Sequence, residues 1–279
     1  MSGAAAGLGS REPLSGEEPI TIFLASRGRP IYLWQCLDAL WRHTRTAARV
    51  VLLDNADPSP LVGEVIEGFQ RRGLFAEVVR FPTNSWNNLR TAYRERLAGV
   101  GSVHVYLESD VVIQAGAGCW LATMSRILAA HPWIGMLGSL IEPGDFVSPP
   151  TALALTGGDG EAAAFLAKLH SPERAFLSPS PWTEPTRDFF LTEPPFPLSN
   201  PPGRLLLLRT DAMKEIEVLP DAQLAEAFRG RGMRPAVTPL VRHRHLSLLN
   251  IYDYQLYSGS ERDAYFRAGT FGSTPGGEG

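Results

Sequence analysis

The sequence predicts an α/β fold, a mostly parallel central sheet flanked by helices, and three observations predict it. Short apolar, β-branched runs alternate with segments of helical periodicity between Ile20 and Asp110. The first of those runs, Ile20 to Ala25, is continuous, the pattern of a strand covered on both faces. Several of the runs stop abruptly at polar clusters instead of at two-residue hairpin turns.

Pro19 precedes the first run, Ile20 to Ala25, and the polar turn from Ser26 to Pro30 closes it. Pro30 suits the first turn of a helix, because its missing N–H would have no partner there. That helix carries Leu33, Leu37, Leu40 and Trp41 on one side. A second strand, Arg49 to Leu53, ends at Asp54-Asn55-Ala56-Asp57-Pro58. A helix from Leu61 to Arg71 leads into a third strand, Ala76 to Phe81, and Thr83 to Leu97 reads as helix over most of its length. The fourth strand, Val103 to Leu107, stops at Glu108-Ser109-Asp110. Beyond it the pattern gives a helix from Trp120 to Ala130 and a strand from Trp133 to Leu140. Residues 143–203 are dense in proline and glycine, with one helical stretch from Gly160 to Leu169; so long an irregular segment is usually functional or mobile. A strand from Arg204 to Leu208, a helix from Asp221 to Arg229 and a last strand from Ala236 to Val241, followed by His243 and His245, complete the order. The organisation is a flexible tail (1–18), one domain (19–270, divided into halves at 115/116) and a flexible tail (271–279).

The bulk properties exclude more than they select. The chain has 279 residues, 44% hydrophobic and 20% charged, enough for a sizeable core. A net charge of −3 gives no field for nucleic acid. No apolar run approaches the roughly 20 residues of a bilayer span, and no signal peptide opens the chain. Cys36 and Cys119 lie far apart in apolar, helical contexts, which reads as free thiols in a cytoplasmic protein.

The odd polar residues collect at the carboxyl ends of the strands, where an open parallel sheet holds its ligand. Glu108-x-Asp110 offers two carboxylates to a hard divalent cation, Mn2+ or Mg2+, though acid-x-acid triplets also cap helices. Asp54 can accept from a nucleobase edge or begin an Asx-turn before Pro58. Ser26, Arg27 and Arg29 follow the first strand, where the arginines can grip phosphate bidentately or stand as surface charges. Asn84, Asn87, Asn88 and Arg90 open a helix, where amides and dipole favour anions; capping explains Asn84 equally well. In Arg242-His243-Arg244-His245 the two histidines face one side of an extended segment, where a neutral imidazole can complete a Mn2+ shell or the segment is simply a basic, exposed strand end. Asp221 is a helix-opening acid or a general base toward a hydroxyl.

Taken in order, these segments resemble the GT-A fold and, within it, family 2 inverting glycosyltransferases. The resemblance lies in Ile20 to Pro30, Cys36 to Leu40, Val50 to Asn55, Phe81 to Asn84, Val105 to Asp110, Leu121 to Gly138, Arg204 to Asp211, Asp221-x-x-Leu224 with Gly232, and Pro239 with His243 and Ser247. It covers roughly residues 19–140 and 203–247. It implies a nucleoside-diphosphate sugar donor, UDP-linked by family habit, and an acceptor hydroxyl on a saccharide or other molecule. Asp54 would contact the base, Glu108 the ribose or metal, and Ser109 and Asp110 would complete the metal–nucleotide corner. Asp110 with His243 or His245 would hold the metal, and Asp221 would be the catalytic base. The chain departs from the family pattern at three places: Glu108 replaces an aspartate, Trp86 stands where a glycine is common, and Pro220-Asp221 replaces a Glu-Asp pair.

Three functions fit these residues. The first is inverting sugar transfer, where the aromatics Trp182, Phe189, Phe190 and Phe196 face the acceptor or simply form a loop-derived hydrophobic cluster. The second is a nucleotide-binding protein of the same fold without catalysis. The third, a sugar-nucleotide nucleotidyltransferase, is disfavoured because Ser26 to Pro30 holds one glycine and no lysine. A dinucleotide oxidoreductase is disfavoured by the missing Gly-x-Gly-x-x-Gly.

Overall fold

The computed structural model describes residues 8, 18–56, 59–142, 149–155, 157–161, 163, 195–197, 204–216 and 222–246. Strand β1 (Ile20–Ser26), helix α1 (Pro30–His43), β2 (Ala48–Asp54), α2 (Pro60–Arg71), β3 (Phe75–Arg80), α3 (Trp86–Leu97) and β4 (Val103–Glu108) keep the expected rhythm. They are succeeded by β5 (Val111–Ile113), α4 (Trp120–Ala130), β6 (Ile134–Ile141), α5 (Pro149–Leu155), β7 (Phe196–Pro197), β8 (Leu205–Arg209), α6 (Thr210–Glu215), α7 (Ala222–Arg229) and β9 (Arg234–His245).

All nine strands belong to one sheet of order β3-β2-β1-β4-β8-β6-β9-β5, with β7 on β9. The half from β3 to β4 is parallel throughout. In the other half β8 runs antiparallel between β4 and β6, β6 and β9 are parallel, and β5 and β7 pair antiparallel to β9.

Period-two alternation along each strand divides the core into two layers. Ile22 and Leu24, Val50 and Leu52, Val105 and Leu107, and Leu205 and Leu207 face a cluster built with α1, α2 and α4. Phe23, Val51 and Leu53, Tyr106, and Leu206 and Leu208 face a second cluster with α3, α6 and α7. That is why these runs are apolar without a break: both faces are covered. Leu8, inside the stretch expected to be a frayed tail, is buried against the first cluster. The rest of 1–17 lies outside the described residues, as do 247–279 and most of 143–203.

Some elements differ from the sequence expectation. Helix α3 begins at Trp86, and its cap is Ser85, whose Oγ accepts from the Asn87 N–H at 3.2 Å, not Asn84. The last strand does not stop at Val241; it continues through His245, so both histidines lie within the ladder. Strand β5, α5, β7 and α6 were not legible, being three, seven, two and six residues long. Cys36 and Cys119 are free, as expected.

His104 anchors β4 to α3 and α6. It is fully buried, with the Tyr93 hydroxyl 2.5 Å from its Nε2 and the Thr210 hydroxyl 2.9 Å from its Nδ1. Burial, reinforced by the charge of Lys214, pushes its pKa down to about 3. The folded chain therefore refuses a proton that the unfolded chain accepts below its ordinary value of about 6.5. The contribution of His104 to stability is full above that pH and falls as pH drops from 6.5 toward 3, by up to about 1.4 kcal/mol per unit. Denaturation midpoints between pH 7.5 and 4.5 should show this slope, and His104→Gln should flatten it by about one proton.

Candidate active site

The carboxyl ends of β1, β2 and β4 lie side by side, and backbone bonds lock their first turn residues together. Asn55 N–H donates to Ser26 C=O at 2.9 Å, Ser109 N–H to Ala25 C=O at 3.0 Å, and Phe81 N–H to Asp54 C=O at 3.0 Å. Ser26, Asp54, Asn55, Ser109 and Asp110 are all buried polar residues at this edge. The Ser26 hydroxyl has no hydrogen-bond partner among the described residues.

At the β2 end, Asp54 lies in register between Ser26 and Arg80, and the Arg80 Nε is 3.9 Å from its carboxylate. Asn55, absent from the predicted site residues, fixes the start of α3. Its amide donates to Asn84 Oδ1 at 2.6 Å, and its Oδ1 accepts from the Ser85 N–H at 3.0 Å. Asn88 is spent locally, donating to Thr83 C=O at 2.7 Å, and Arg90 is exposed on α3.

At the β1 end, Gly28 and Arg29 both adopt left-handed backbone (φ 63° and 57°), turning the chain into α1. Arg29 thereby reaches the Asp110 carboxylate, Nη1 to Oδ2 at 3.6 Å. Arg27 is exposed; partial burial, then the like charge of Arg29, holds its guanidinium below the usual range.

The β4 end splits the acid pair. Glu108 forms an ion pair with Arg204, which precedes β8. Burial pushes the Glu108 pKa up, the charge of Arg204 opposes this, and neighbouring Asp110 adds to it. Arg204 was not among the predicted site residues; its only signal was a cation directly before the apolar run of β8.

Asp110 instead meets the C-terminal end of β9. Short β5 pairs antiparallel with β9, setting Val111 opposite His245 and Ile113 opposite His243. Leu246 N–H donates to Asp110 C=O at 2.8 Å, and the His245 Nε2 is 3.2 Å from Asp110 Oδ2. A register shift between β6 and β9 makes this possible: Ser139 pairs with Thr238, while the next residue, Leu140, pairs with Arg242. The extra residues Pro239, Leu240 and Val241 form a bulge that re-aims the strand toward β5, and Pro239 gives up no ladder donor there. Past the bulge the histidines face in and Arg244 faces solvent.

The two histidines are not equivalent. His245 lies at the carboxylate, whereas His243 is fully buried, with its Nδ1 2.7 Å from the Ser139 hydroxyl. Its Nε2 is buried and has no hydrogen-bond partner among the described residues. Burial, with the charge of His245 reinforcing and Asp110 opposing, pushes its pKa down to about 3. It is a neutral imidazole with one nitrogen fixed by a serine, as ligating histidines are held. Among the described residues no three acid, imidazole or thiol groups converge as a complete metal shell. Asp221 lies outside the described residues, immediately before α7, and Trp182, Phe189 and Phe190 also lie outside them. Phe196 falls in β7, beside Val237 of β9.

No protein-family model matches the sequence, and no curated protein does. Solved structures do match. The mannosyltransferase PcManGT from Pyrobaculum calidifontis, in complex with GDP-Man and Mn2+, is 15% identical, covers 94% of this chain and 71% of its own, and gives a TM-score of 0.51. GalNAc-T7, with UDP, GalNAc and Mn2+, is 14% identical, covers 90% of this chain and gives a TM-score of 0.54; this chain spans 50% of its length. No helix among the described residues is long and apolar enough to cross a membrane. Identity this low speaks for architecture alone, and on that architecture the chain has the GT-A fold.

Proposed function

We propose that the chain is a divalent-metal-dependent glycosyltransferase, taking a sugar from a nucleoside-diphosphate donor, UDP-linked in preference, to an acceptor hydroxyl with inversion. The observation that carries this is the meeting of Asp110 with His245 at the sheet edge that also holds Ser26 and Asp54. Residues 135 positions apart in sequence have no local reason to meet there. A hard carboxylate oxygen and an imidazole suit Mn2+ or Mg2+. Asp110 and His245 would hold the cation, with His243 behind them, and diphosphate oxygens and water would fill the rest of the shell. Bound there, a cation would offset charge on the departing diphosphate. The two solved structures described above carry a nucleotide or nucleotide sugar with Mn2+, which supports the same reading.

The chain's own residues divide the remaining work. Asp54, held between Ser26 and Arg80, offers acceptor oxygens to a base edge, while Asn55 and Asn84 fix the wall beside it. Arg27 and Arg29 present cations to the phosphates, and Glu108, clamped by Arg204, faces the ribose. Asp221 takes the proton from the acceptor hydroxyl. Incubation with a panel of UDP- and GDP-sugars and Mn2+ should show transfer or slow donor hydrolysis. No turnover, together with no metal-dependent nucleotide binding, ends the proposal.

A second reading, nucleotide binding without transfer, has one observation in its favour. Arg204 already occupies Glu108, the first acid of the pair. Asp221→Ala separates the two. As a base its loss should lower turnover by about a hundredfold or more with UDP affinity unchanged, whereas a binding protein would have no turnover to lose.

A further inference from the structure

Resting on the reading of Asp110 as a cation ligand, we infer that Arg29 is its internal counter-ion. Its guanidinium gives way to the divalent cation only when a nucleotide diphosphate is present to receive it. Cation and nucleotide therefore bind as a coupled pair.

The backbone is the first observation. Arg29 sits at φ 57°, ψ 70°, a left-handed conformation that glycine adopts freely and side-chain-bearing residues seldom do. Such strain persists where the surroundings demand it and clusters at functional sites. Capping does not explain it, because Arg29 precedes α1 without any side-chain cap hydrogen bond. What the conformation achieves is reach: the guanidinium passes 5.2 Å over the Tyr32 ring and ends 3.6 Å from Asp110 Oδ2.

The second observation is which oxygen it reaches. The same Oδ2 lies 3.2 Å from His245 Nε2, so the carboxylate atom beside the imidazole is the one Arg29 neutralises. A guanidinium and a divalent cation cannot share that oxygen, since like charges a few ångströms apart repel strongly where water is scarce. When the cation arrives the guanidinium leaves this oxygen and can turn to an anion that enters with the cation. Glu108 is taken by Arg204. A diphosphate on the cation offers paired oxygens that match the guanidinium fork. One side chain thus links the two binding events.

The test is Mn2+ binding by the full chain, read by electron paramagnetic resonance with and without UDP, for wild type, Arg29→Gly and Arg29→Lys. Glycine suits the left-handed backbone, so Arg29→Gly should fold, with a melting midpoint within a few degrees of wild type. Wild type should bind Mn2+ weakly alone and at least about tenfold more tightly with UDP. Arg29→Gly should bind Mn2+ alone about tenfold more tightly than wild type and lose most of the UDP enhancement, while Arg29→Lys, which keeps the charge without the fork, retains part of it. Unchanged Mn2+ binding in Arg29→Gly, beside normal Mn2+–UDP binding in wild type, overturns the counter-ion role alone. Absence of Mn2+ binding in wild type even with UDP overturns the cation site, and this inference with it.

Discussion

Asp110→Asn is expected to weaken Mn2+-supported UDP binding by at least about a hundredfold and to lower turnover at least as much. The substitution keeps the shape of the side chain and leaves an amide oxygen for His245, so the local fold should survive. What disappears is the negative charge that holds a hard cation. Asp110 is 8% exposed and pairs with Arg29, whose side chain is itself 20% exposed, so the guanidinium that Asn leaves without its counter-charge keeps access to water. Calorimetric titration with UDP, in Mn2+ and in chelator, checks this. Wild type should show a large difference between the two conditions and the variant almost none. A variant that binds Mn2+–UDP as wild type does would place the cation elsewhere.

The largest expected effect on stability lies away from the site, at Gly135 in β6. A methyl group there would meet Phe228 Cδ1 at 2.2 Å, Phe228 Cε1 at 2.7 Å and Met233 Cβ at 3.0 Å. Phe228 is a fully buried ring on α7, so it has no open space to swing into. Gly135→Ala should therefore cost about 1–3 kcal/mol through overpacking, lowering the melting midpoint by several degrees. Phe228→Leu in the same chain should recover part of that loss, with a coupling of at least about 0.5 kcal/mol in the double-mutant cycle. Strict additivity of the two substitutions would mean that the close approach of ring and glycine is not what the methyl disturbs.

The first half of the fold was legible because β1, β2 and β4 are buried on both faces and each helix on one, while the edge strand β3, which carries Glu77 and Arg80, still follows from the rhythm of its neighbours. The boundaries of α4 agree with the periodicity at both ends, Trp120 and Ala130. The positions of Asp54 and Asp110 at strand ends were legible for the same reason. Arg204 and Asn55 were not. Each acts through a partner far along the chain, Glu108 in one case and Asn84 with Ser85 in the other, and no local pattern marks such a pairing.

What the sequence by itself determined is the order of the longer elements, unbroken from β1 to β4, and the chemistry at those strand ends, since periodicity and composition are local properties of the chain. What only the tertiary structure decided is which of those ends meet. Three residues of β5 and a bulge in β9 set His245 against Asp110 and leave His243 buried behind it. That choice belongs to the pairing register between distant strands, and a register is an energy of contacts across the sheet, absent from any window along the chain.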